Sequence, residues 1–466
     1  MKKKILLLNP PGEKIYIRDY YCSKVSKSDY IYHPIDLLIA SGWLSGTFEL
    51  KALDCIAEKI SQEKAYEIIR EMKPDAIVFL TGAVSCHDDF PFLKKLKTEI
   101  NCIMAGTGDC LLGNFDKYRK EEEWLDAIIL DFTTDDLRKY LMNCLLEENE
   151  EYTNIVDLRN SSPNLTNARL KSRKMEIPVP LYELFPEHLY RYPFVRSLPF
   201  ATVLTSYGCP FQCAFCVMPG IGFKSRSTEN ILPELDYLKK RGIRDIYFAD
   251  QTFGVDGEKL KELCSAMIGR KYDFNWVAFT RVDRIIDEEL LKLMKKSGCH
   301  TLMFGVESPH QHVLDAAHKG FKIEDVFNAF ALCRKNKIKT LATFIIGLPG
   351  TNYEENLSIL DFSIKLDPDY ASFNVIVPRH GTAILEQALK ENWIAPSHNP
   401  FDQSGEMGTI STDKLSSEQI LELKNRIEKG FYKRPSYILK RLFQVRTPHE
   451  FYLLIKNGIS VLRKIS

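Results

Sequence analysis

Three of the twelve cysteines fall within eight residues, as Cys209-Pro-Phe-Gln-Cys213-Ala-Phe-Cys216, while the others are scattered singly at positions such as Cys22, Cys144, Cys264 and Cys333. So sparse a content is no disulfide scaffold, and it is read as that of a reduced, cytoplasmic protein. Thiolates packed this closely are soft ligands suited to an iron-sulfur cluster. A cubane of four irons held by three thiolates leaves one iron open to a substrate or cofactor. A zinc site is the alternative, and it would recruit a distant fourth ligand, because no Cys or His stands near the loop in sequence. His87, His300, His310, His312, His318 and His380 are candidates for proton chemistry. None has a partner at a diagnostic spacing, and an exposed or core histidine is the favoured reading of each.

The elements that must position the loop follow from apolar periodicity. From Ala201 onward, apolar runs at 202–204, 245–248, 276–279, 301–304, 340–346 and 372–377 alternate with helical patterns at 229–241, 257–268, 287–297, 323–336 and 353–366. Six strand-helix units predict a (β/α)6 barrel or part-barrel, with the cysteine loop just after its first strand, at the carboxyl end where such barrels build their sites. The first 150 residues carry the same rhythm, with runs at 5–8, 48–53, 76–80, 102–105 and 127–130. They predict an α/β, flavodoxin-like or Rossmann-like doubly wound parallel sheet. Its strand ends carry Asn9-Pro10-Pro11-Gly12, Asp54, Thr81-Gly82-Ala83 and Gly106-Thr107-Gly108-Asp109. Such small turn residues fit a bound cofactor and fit tight turns equally well. A polar, then Pro-rich stretch with Ser161-Ser-Pro-Asn164 reads as a linker. The expected division is a sheet domain over 1–150, a linker over 151–198, a barrel over 199–395 and a small, mostly helical basic segment over 396–466.

Composition narrows the function classes. Of 466 residues, 45% are hydrophobic and 27% charged, which excludes collagen, coiled coil and wholesale disorder. With 63 Lys+Arg against 62 Asp+Glu the chain lacks the global positive field of a non-specific nucleic-acid binder. No uncharged apolar run reaches the roughly 18 residues of a membrane span.

Around the cysteines, the spacing Cys209-x3-Cys213-x2-Cys216 with Phe215 before the last Cys resembles the radical S-adenosylmethionine (radical SAM) superfamily. Asp250-Gln-Thr-Phe253, Phe279-Thr-Arg281-Val-Asp283, Phe304-Gly-Val-Glu307-Ser308 and Phe344-Ile-Ile-Gly347-Leu-Pro349-Gly350 are similar, in that order, to the family's strand-end motifs. The resemblance covers 201–391. It implies that Cys209, Cys213 and Cys216 hold a 4Fe-4S cluster whose unique iron binds the amino and carboxylate groups of S-adenosylmethionine. Reductive cleavage would then yield methionine and a 5′-deoxyadenosyl radical that abstracts a substrate hydrogen. Asp250 is carried over as a cofactor-binding residue, and backbone near Phe215 would touch the adenine. Glu307 would accept from the ribose hydroxyls or amino group, Arg281 would pair with the methionine carboxylate, and Gly347 would let the backbone approach the adenine. Arg281 and Glu307 could instead bridge each other structurally.

A flavodoxin-like sheet in front of such a barrel resembles the cobalamin-dependent branch, in which the corrin lies between the two domains. Asn9, Pro10, Thr81, Gly82, Gly106 and Gly108, with Asp54, would line it. The D-x-H-x-x-G pattern that supplies cobalt with a His is absent, since Asp54-Cys-Ile-Ala-Glu-Lys59 carries Ile and Lys at those places. Members of the branch often lack it, so the alternatives are cobalamin without that lower ligand and a sheet that has lost the cofactor. The implied reaction is methyl transfer to an unactivated carbon, one S-adenosylmethionine remethylating cobalamin and a second generating the substrate radical. A radical cyclase, rearrangement or oxidation enzyme without catalytic cobalamin is the rival, and a non-catalytic cobalamin or iron-sulfur binding protein is the rival of another class. The expected partners are a small-molecule, lipid or peptide substrate and an electron donor such as flavodoxin or ferredoxin, with no nucleic acid. Residues 421–466 hold 11 Lys+Arg against 3 Asp+Glu, a balance of +8, interleaved with aromatic residues. Such a segment can touch an anionic membrane surface, or pack its apolar face on the barrel and solvate its charges, which is the favoured reading.

Overall fold

The computed structural model describes residues 2–20, 23–26, 29–112, 115–159, 174–379, 381–394 and 410–443. Cys22, Ser161–Asn164, His380 and the basic stretch 444–466 lie outside them. The chain opens on β1 (Lys4–Asn9), a two-residue ribbon β2 (Tyr16–Ile17) and β3 (Lys24–Val25), and α1 (Ile35–Leu44). There follow β4 (Glu49–Asp54), α2 (Gln62–Met72), β5 (Ala76–Leu80), α3 (Cys86–Glu99), β6 (Ile103–Thr107), α4 (Phe115–Glu121), β7 (Ala127–Ile129), α5 (Asp136–Leu146) and β8 (Ile155–Asp157). The sheet runs β4-β1-β5-β6-β7-β8. Its first five members are parallel, in the flavodoxin-like order that places a crevice between β1 and β5. Central β5 is Ala-Ile-Val-Phe-Leu and wholly buried, whereas edge strand β4 alternates exposed Glu49 and Lys51 with half-buried Leu50 and Ala52. β8 pairs antiparallel with β7 and lies inside the stretch read from sequence as linker. Three residues were too short to register as a strand against that polar background.

The second unit has β9 (Phe200–Val203), a ribbon of β10 (Ser206–Gly208) and β11 (Phe223–Ser225), α6 (Thr228–Lys240), β12 (Asp245–Phe248), α7 (Gly257–Gly269) and β13 (Asn275–Thr280). It continues with α8 (Glu288–Lys296), β14 (Cys299–Glu307), α9 (Gln311–Ala316), α10 (Ile323–Lys335), β15 (Lys339–Ile346), α11 (Tyr353–Leu366) and β16 (Tyr370–Val375). The strands lie side by side as β9-β12-β13-β14-β15-β16, all parallel. β9 and β16 are the two ends of the sheet, so the barrel is a partial one.

α12 (Ala383–Lys390), α13 (Ser417–Tyr432) and α14 (Pro435–Phe443) end the described chain. α13 buries Ile420, Leu423, Ile427 and Phe431, with the Phe431 ring 5.7 Å from that of Phe373 on β16. This part of the basic segment therefore packs its apolar face on the barrel. Among the described residues no helix is long and apolar enough to cross a membrane.

The segment from 174 to 199 is a strap. The Tyr182 hydroxyl lies 2.6 Å from Glu234 Oε1 and 2.9 Å from the Thr202 carbonyl oxygen, while Tyr190 donates to Asp54 Oδ2 at 2.9 Å. Both rings are fully buried, and one apolar core runs from the α1 and α5 face of the sheet through the strap into the part-barrel.

Candidate active site

The cysteine loop hangs from the β10/β11 ribbon. Cys209 N–H bonds to Gly222 O at 3.0 Å, and Gly208 sits at φ +79, where a Cβ would fall 1.9 Å from that same carbonyl oxygen. Only glycine closes the ribbon at this point. Farther along, Ala214 N–H reaches Ala317 O at 3.0 Å and ties the loop to the end of α9. Cys209 Sγ lies 3.4 Å from Thr252 Oγ1, and Cys213 Sγ lies 3.9 Å from Arg281 Nη1. All three thiols are partly exposed. Burial pushes the Cys213 thiol up, and the Lys319 and Arg281 cations pull against it; a coordinating metal removes such a proton outright.

Two cation-carboxylate pairs frame the sulfur atoms. The Arg281 guanidinium lies 3.7 Å from the Phe211 ring centroid, and its Nε and Nη2 reach the Asp283 carboxylate at 2.9 and 3.1 Å. Lys319 Nζ bonds Glu307 Oε1 at 3.0 Å and lies 5.6 Å from the Phe215 ring. Burial alone would lower the Lys319 ammonium, but Glu307 and the Cys213 sulfur outweigh it, so the group is held above the usual lysine range. Arg281 and Glu307 thus take separate partners, in place of the direct bridge weighed from sequence. Glu307 adopts φ +66 at a break in the β14/β15 register, and a Cβ on Gly305 would lie 2.4 Å from its Oε1. A non-glycine residue in the left-handed region carries a backbone cost, here at the end of a strand and not at a helix C-cap such as Lys73 or Asp367. Lys319 escaped the sequence reading because it stands in no strand-end motif, whereas Phe211, inside the cysteine loop, and Thr252, inside the Asp250–Phe253 motif, were read without a role. The Lys at the end of the α9 turn, twelve residues beyond Glu307, was the available signal.

Two residues carried over as cofactor-binding do other work in this structure. Asp250 accepts from Thr205 N–H at 2.7 Å, Thr205 Oγ1 at 2.5 Å and Ser206 Oγ at 2.6 Å, so it anchors the ribbon that bears Cys209. Gly347 sits at φ +83, and a Cβ there would lie 2.7 Å from Ile420 of α13. Its missing side chain lets the carboxyl-terminal helix dock.

At the carboxyl edge of the first sheet, the expected residues gather but bond mostly to one another. Asn9 Nδ2 donates to Asp54 Oδ1 at 2.8 Å, and Arg18 Nη1 donates to Asn9 Oδ1 at 2.8 Å. Arg18 forms a fully buried ion pair with Asp89, which also accepts from Thr81 Oγ1 at 2.7 Å and Ser85 Oγ at 2.6 Å. Pro10 is buried beside this network. A Cβ on Gly82 would meet Ser23, one on Gly106 would meet Phe79 and Leu111, and one on Gly108, at φ +138, would strike Thr81 O. These glycines are required by the packing of the loops themselves. Where the two units meet, however, Asp36 Oδ2, the Tyr207 hydroxyl and Arg379 Nε are buried with no hydrogen-bond partner. Arg379 Nη1 lies 4.0 Å from Asp109 Oδ2, and the Tyr207 ring packs 5.4 Å from Tyr20. Burial pushes the Asp36 carboxyl well up, and Asp19 and Asp109 add to it.

A parallel part-barrel whose mouth holds three thiols between two cations, behind a doubly wound sheet, is the build of an enzyme that works with a metal cluster. Residues 203–363 match the family model described as the radical SAM superfamily, so the part-barrel carries a radical SAM domain. It is 28% identical to an uncharacterized methyltransferase of Pyrococcus horikoshii, covering 99% of this chain and 98% of that one. It is 22% identical to the anaerobic magnesium-protoporphyrin IX monomethyl ester cyclase of Rubrivivax gelatinosus, over 78% of this chain and 68% of that one. Among solved structures, the radical S-adenosylmethionine methyltransferase TsrM of Kitasatospora setae, with cobalamin and a 4Fe-4S cluster bound, superposes with a TM-score of 0.65 at 16% identity, covering 100% of this chain and 99% of that one. At that identity the likeness is one of fold, and it spans both units.

Proposed function

We propose that the chain is a cobalamin-dependent radical SAM methyltransferase that transfers a methyl group to an unactivated carbon. The observation that carries the reading is the three-thiol loop flanked by Arg281 and Lys319, facing a flavodoxin-type sheet across a seam where Asp36, Tyr207 and Arg379 each keep one polar atom without a hydrogen bond. When bound, a 4Fe-4S cluster at Cys209, Cys213 and Cys216 supplies the electron that cleaves S-adenosylmethionine, and cobalamin carries the methyl group. Arg281 and Lys319 keep positive charge beside the sulfur atoms and can orient a carboxylate. Glu307 can exchange Lys319 for an amino or hydroxyl donor. Asp36, Tyr207 and Arg379 each keep an unpaired polar atom, a donor and acceptor set that suits an amide-fringed corrin. Asn9, Pro10, Asp54, Thr81, Gly82, Gly106 and Gly108 shape the sheet edge behind them. With Ile56 standing where a cobalt-ligating His would be, this segment offers no lower ligand.

The substrate is read as a small molecule, lipid or peptide, the reductant as a flavodoxin or ferredoxin, and the compartment as the cytoplasm. The similarity to the ester cyclase favours a second reading, radical cyclisation or oxidation without catalytic cobalamin. Anaerobic reconstitution with iron, sulfide and hydroxocobalamin, followed by desalting, separates the two. Stoichiometric cobalamin with a spectrum lacking a His lower ligand is the expected result and directs the search to methylated products. An intact cluster with no retained cobalamin overturns methyl transfer in favour of the second reading.

A further inference from the structure

Outside the barrel mouth, one set of side chains among the described residues brings three metal-ligating atoms within 4.8 Å of one another: His310, His312 and Glu355. His310 precedes α9 and His312 lies in its first turn, while Glu355 is in the first turn of α11. The geometry points to a site for one divalent transition-metal ion of the zinc type, which clips the peptide after Glu307 to the start of α11.

The donor set and its fixing both favour this assignment. Two imidazole nitrogens and a carboxylate oxygen form a recurrent three-ligand zinc shell that leaves a fourth position to water. His312 Nε2 lies 3.2 Å from Glu355 Oε1. Ligand arms of about 2.0 Å set at the tetrahedral angle place neighbouring donor atoms roughly 3.3 Å apart, so this pair already has the edge length of such a shell. The carboxylate is held in place, because Glu355 Oε2 accepts from Asn352 N–H at 2.9 Å in a capping box and leaves Oε1 to face the histidine. Ser358 Oγ commits its hydrogen to the Glu355 carbonyl at 2.8 Å, so it accepts from His310 Nε2 at 2.9 Å. That bond fixes the tautomer in which His310 Nδ1 carries the lone pair, the kind of outer contact that orients metal-binding histidines. The His312 side chain is 63% exposed and Glu355 is 23% exposed, so an ion has a path in from solvent.

The experiment uses the full chain, purified anaerobically with its cluster reconstituted, stripped with a mild chelator, given Zn²⁺ and desalted, with zinc and iron counted per chain. Wild type is expected to keep one zinc, with His312→Ala and Glu355→Gln weakening it at least about tenfold and leaving iron unchanged. Gln also serves at the capping position, so Glu355→Gln keeps the start of α11 intact. A chain with Cys209, Cys213 and Cys216 all replaced by Ala should lose its iron and keep its zinc. Equal zinc in wild type and both variants, no zinc in wild type, or loss of zinc with the three cysteines would each overturn the assignment.

Discussion

The mouth of the part-barrel and the carboxyl edge of the first sheet are both built from loops at parallel strand ends, yet they settle their charges differently. At the sheet edge nearly every polar atom has met another polar atom of the chain: Arg18 with Asp89 and Asn9, Asn9 with Asp54, Asp54 with Tyr190. At the barrel mouth two cations and two carboxylates pair around a centre left to sulfur, where Cys213 meets Arg281 only at 3.9 Å. At the mouth the contacts of Cys209 and Cys213 are long, 3.4 Å to Thr252 and 3.9 Å to Arg281, whereas the sheet edge is made rigid by its own short hydrogen bonds. The few unpaired atoms at that edge, on Asp36, Tyr207 and Arg379, lie where the units meet.

The largest effect should come from emptying the mouth. Cys213→Ala removes one of three thiolates, and the reconstituted protein is expected to lose most of its iron and all reductive cleavage of S-adenosylmethionine, read as 5′-deoxyadenosine formed under dithionite. Retention of full iron and cleavage would show that the cluster is held elsewhere. The sheet edge should respond in stability instead. Arg18→Met strands the buried Asp89 carboxylate, and truncation of one partner of such a pair costs about 3–5 kcal/mol. Chemical denaturation should report that loss in the sheet domain while iron content stays at the wild-type level. A change below about 1 kcal/mol would mean that Asp89 is already neutral, consistent with the upward push of burial on its carboxyl.

The same contrast explains what could be read from the sequence. Cys209, Cys213 and Cys216 were legible because one short loop carries all three, and the strand positions followed from apolar runs such as Ala76–Leu80 that stand out in any context. The partners of those residues were not legible. Lys319 reaches Glu307 only through a register break at Gly305 and a left-handed backbone at Glu307, neither of which has a periodic signature. Asp250 and Gly347 follow β12 and β15 as expected from sequence, but their contacts, Thr205 and Ile420, come from other elements. Likewise His310 and His312 looked partnerless because Glu355 lies on a different helix, and the strap tyrosines looked like linker because their hydrogen-bond partners lie on other elements, Thr202, Glu234 and Asp54.

A pH series sharpens the comparison at the seam between the units. His33 is fully buried, its Nδ1 3.1 Å from Thr202 Oγ1 and its ring 4.3 Å from that of Tyr190, and burial pushes its pKa down to about 3. The unfolded chain takes up that proton near pH 6.5, so between about 6.5 and 3 the unfolded state binds more protons than the folded one. The stabilising effect of keeping His33 neutral is therefore complete above pH 6.5 and is lost as the pH falls through that window, by at most about 1.4 kcal/mol per unit. Unfolding free energies at pH 7.0, 6.0 and 5.0 should show a shallower slope in His33→Gln than in wild type. Equal slopes would assign the acid sensitivity to other groups.

The smallest expected effect tests whether the strap, and not the sheet alone, sets the edge. Tyr190→Phe keeps the buried ring against His33 and deletes only the hydroxyl that bonds Asp54 Oδ2 at 2.9 Å. Asp54 retains Asn9 Nδ2 at 2.8 Å and Ala57 N–H at 3.0 Å, both on Oδ1, so its other oxygen loses this donor. Loss of one buried hydrogen bond to a carboxylate costs about 1.5–3 kcal/mol, less wherever the carboxyl takes up a proton instead. Burial already pushes the Asp54 carboxyl up, and Tyr190 is among the groups holding it down. The variant should therefore lose about 1 kcal/mol at neutral pH and progressively less on acidification, because a protonated Asp54 has less need of the donor. A loss of the same size at pH 5 and pH 8 would place the effect in packing of the strap rather than in the charge at the end of β4.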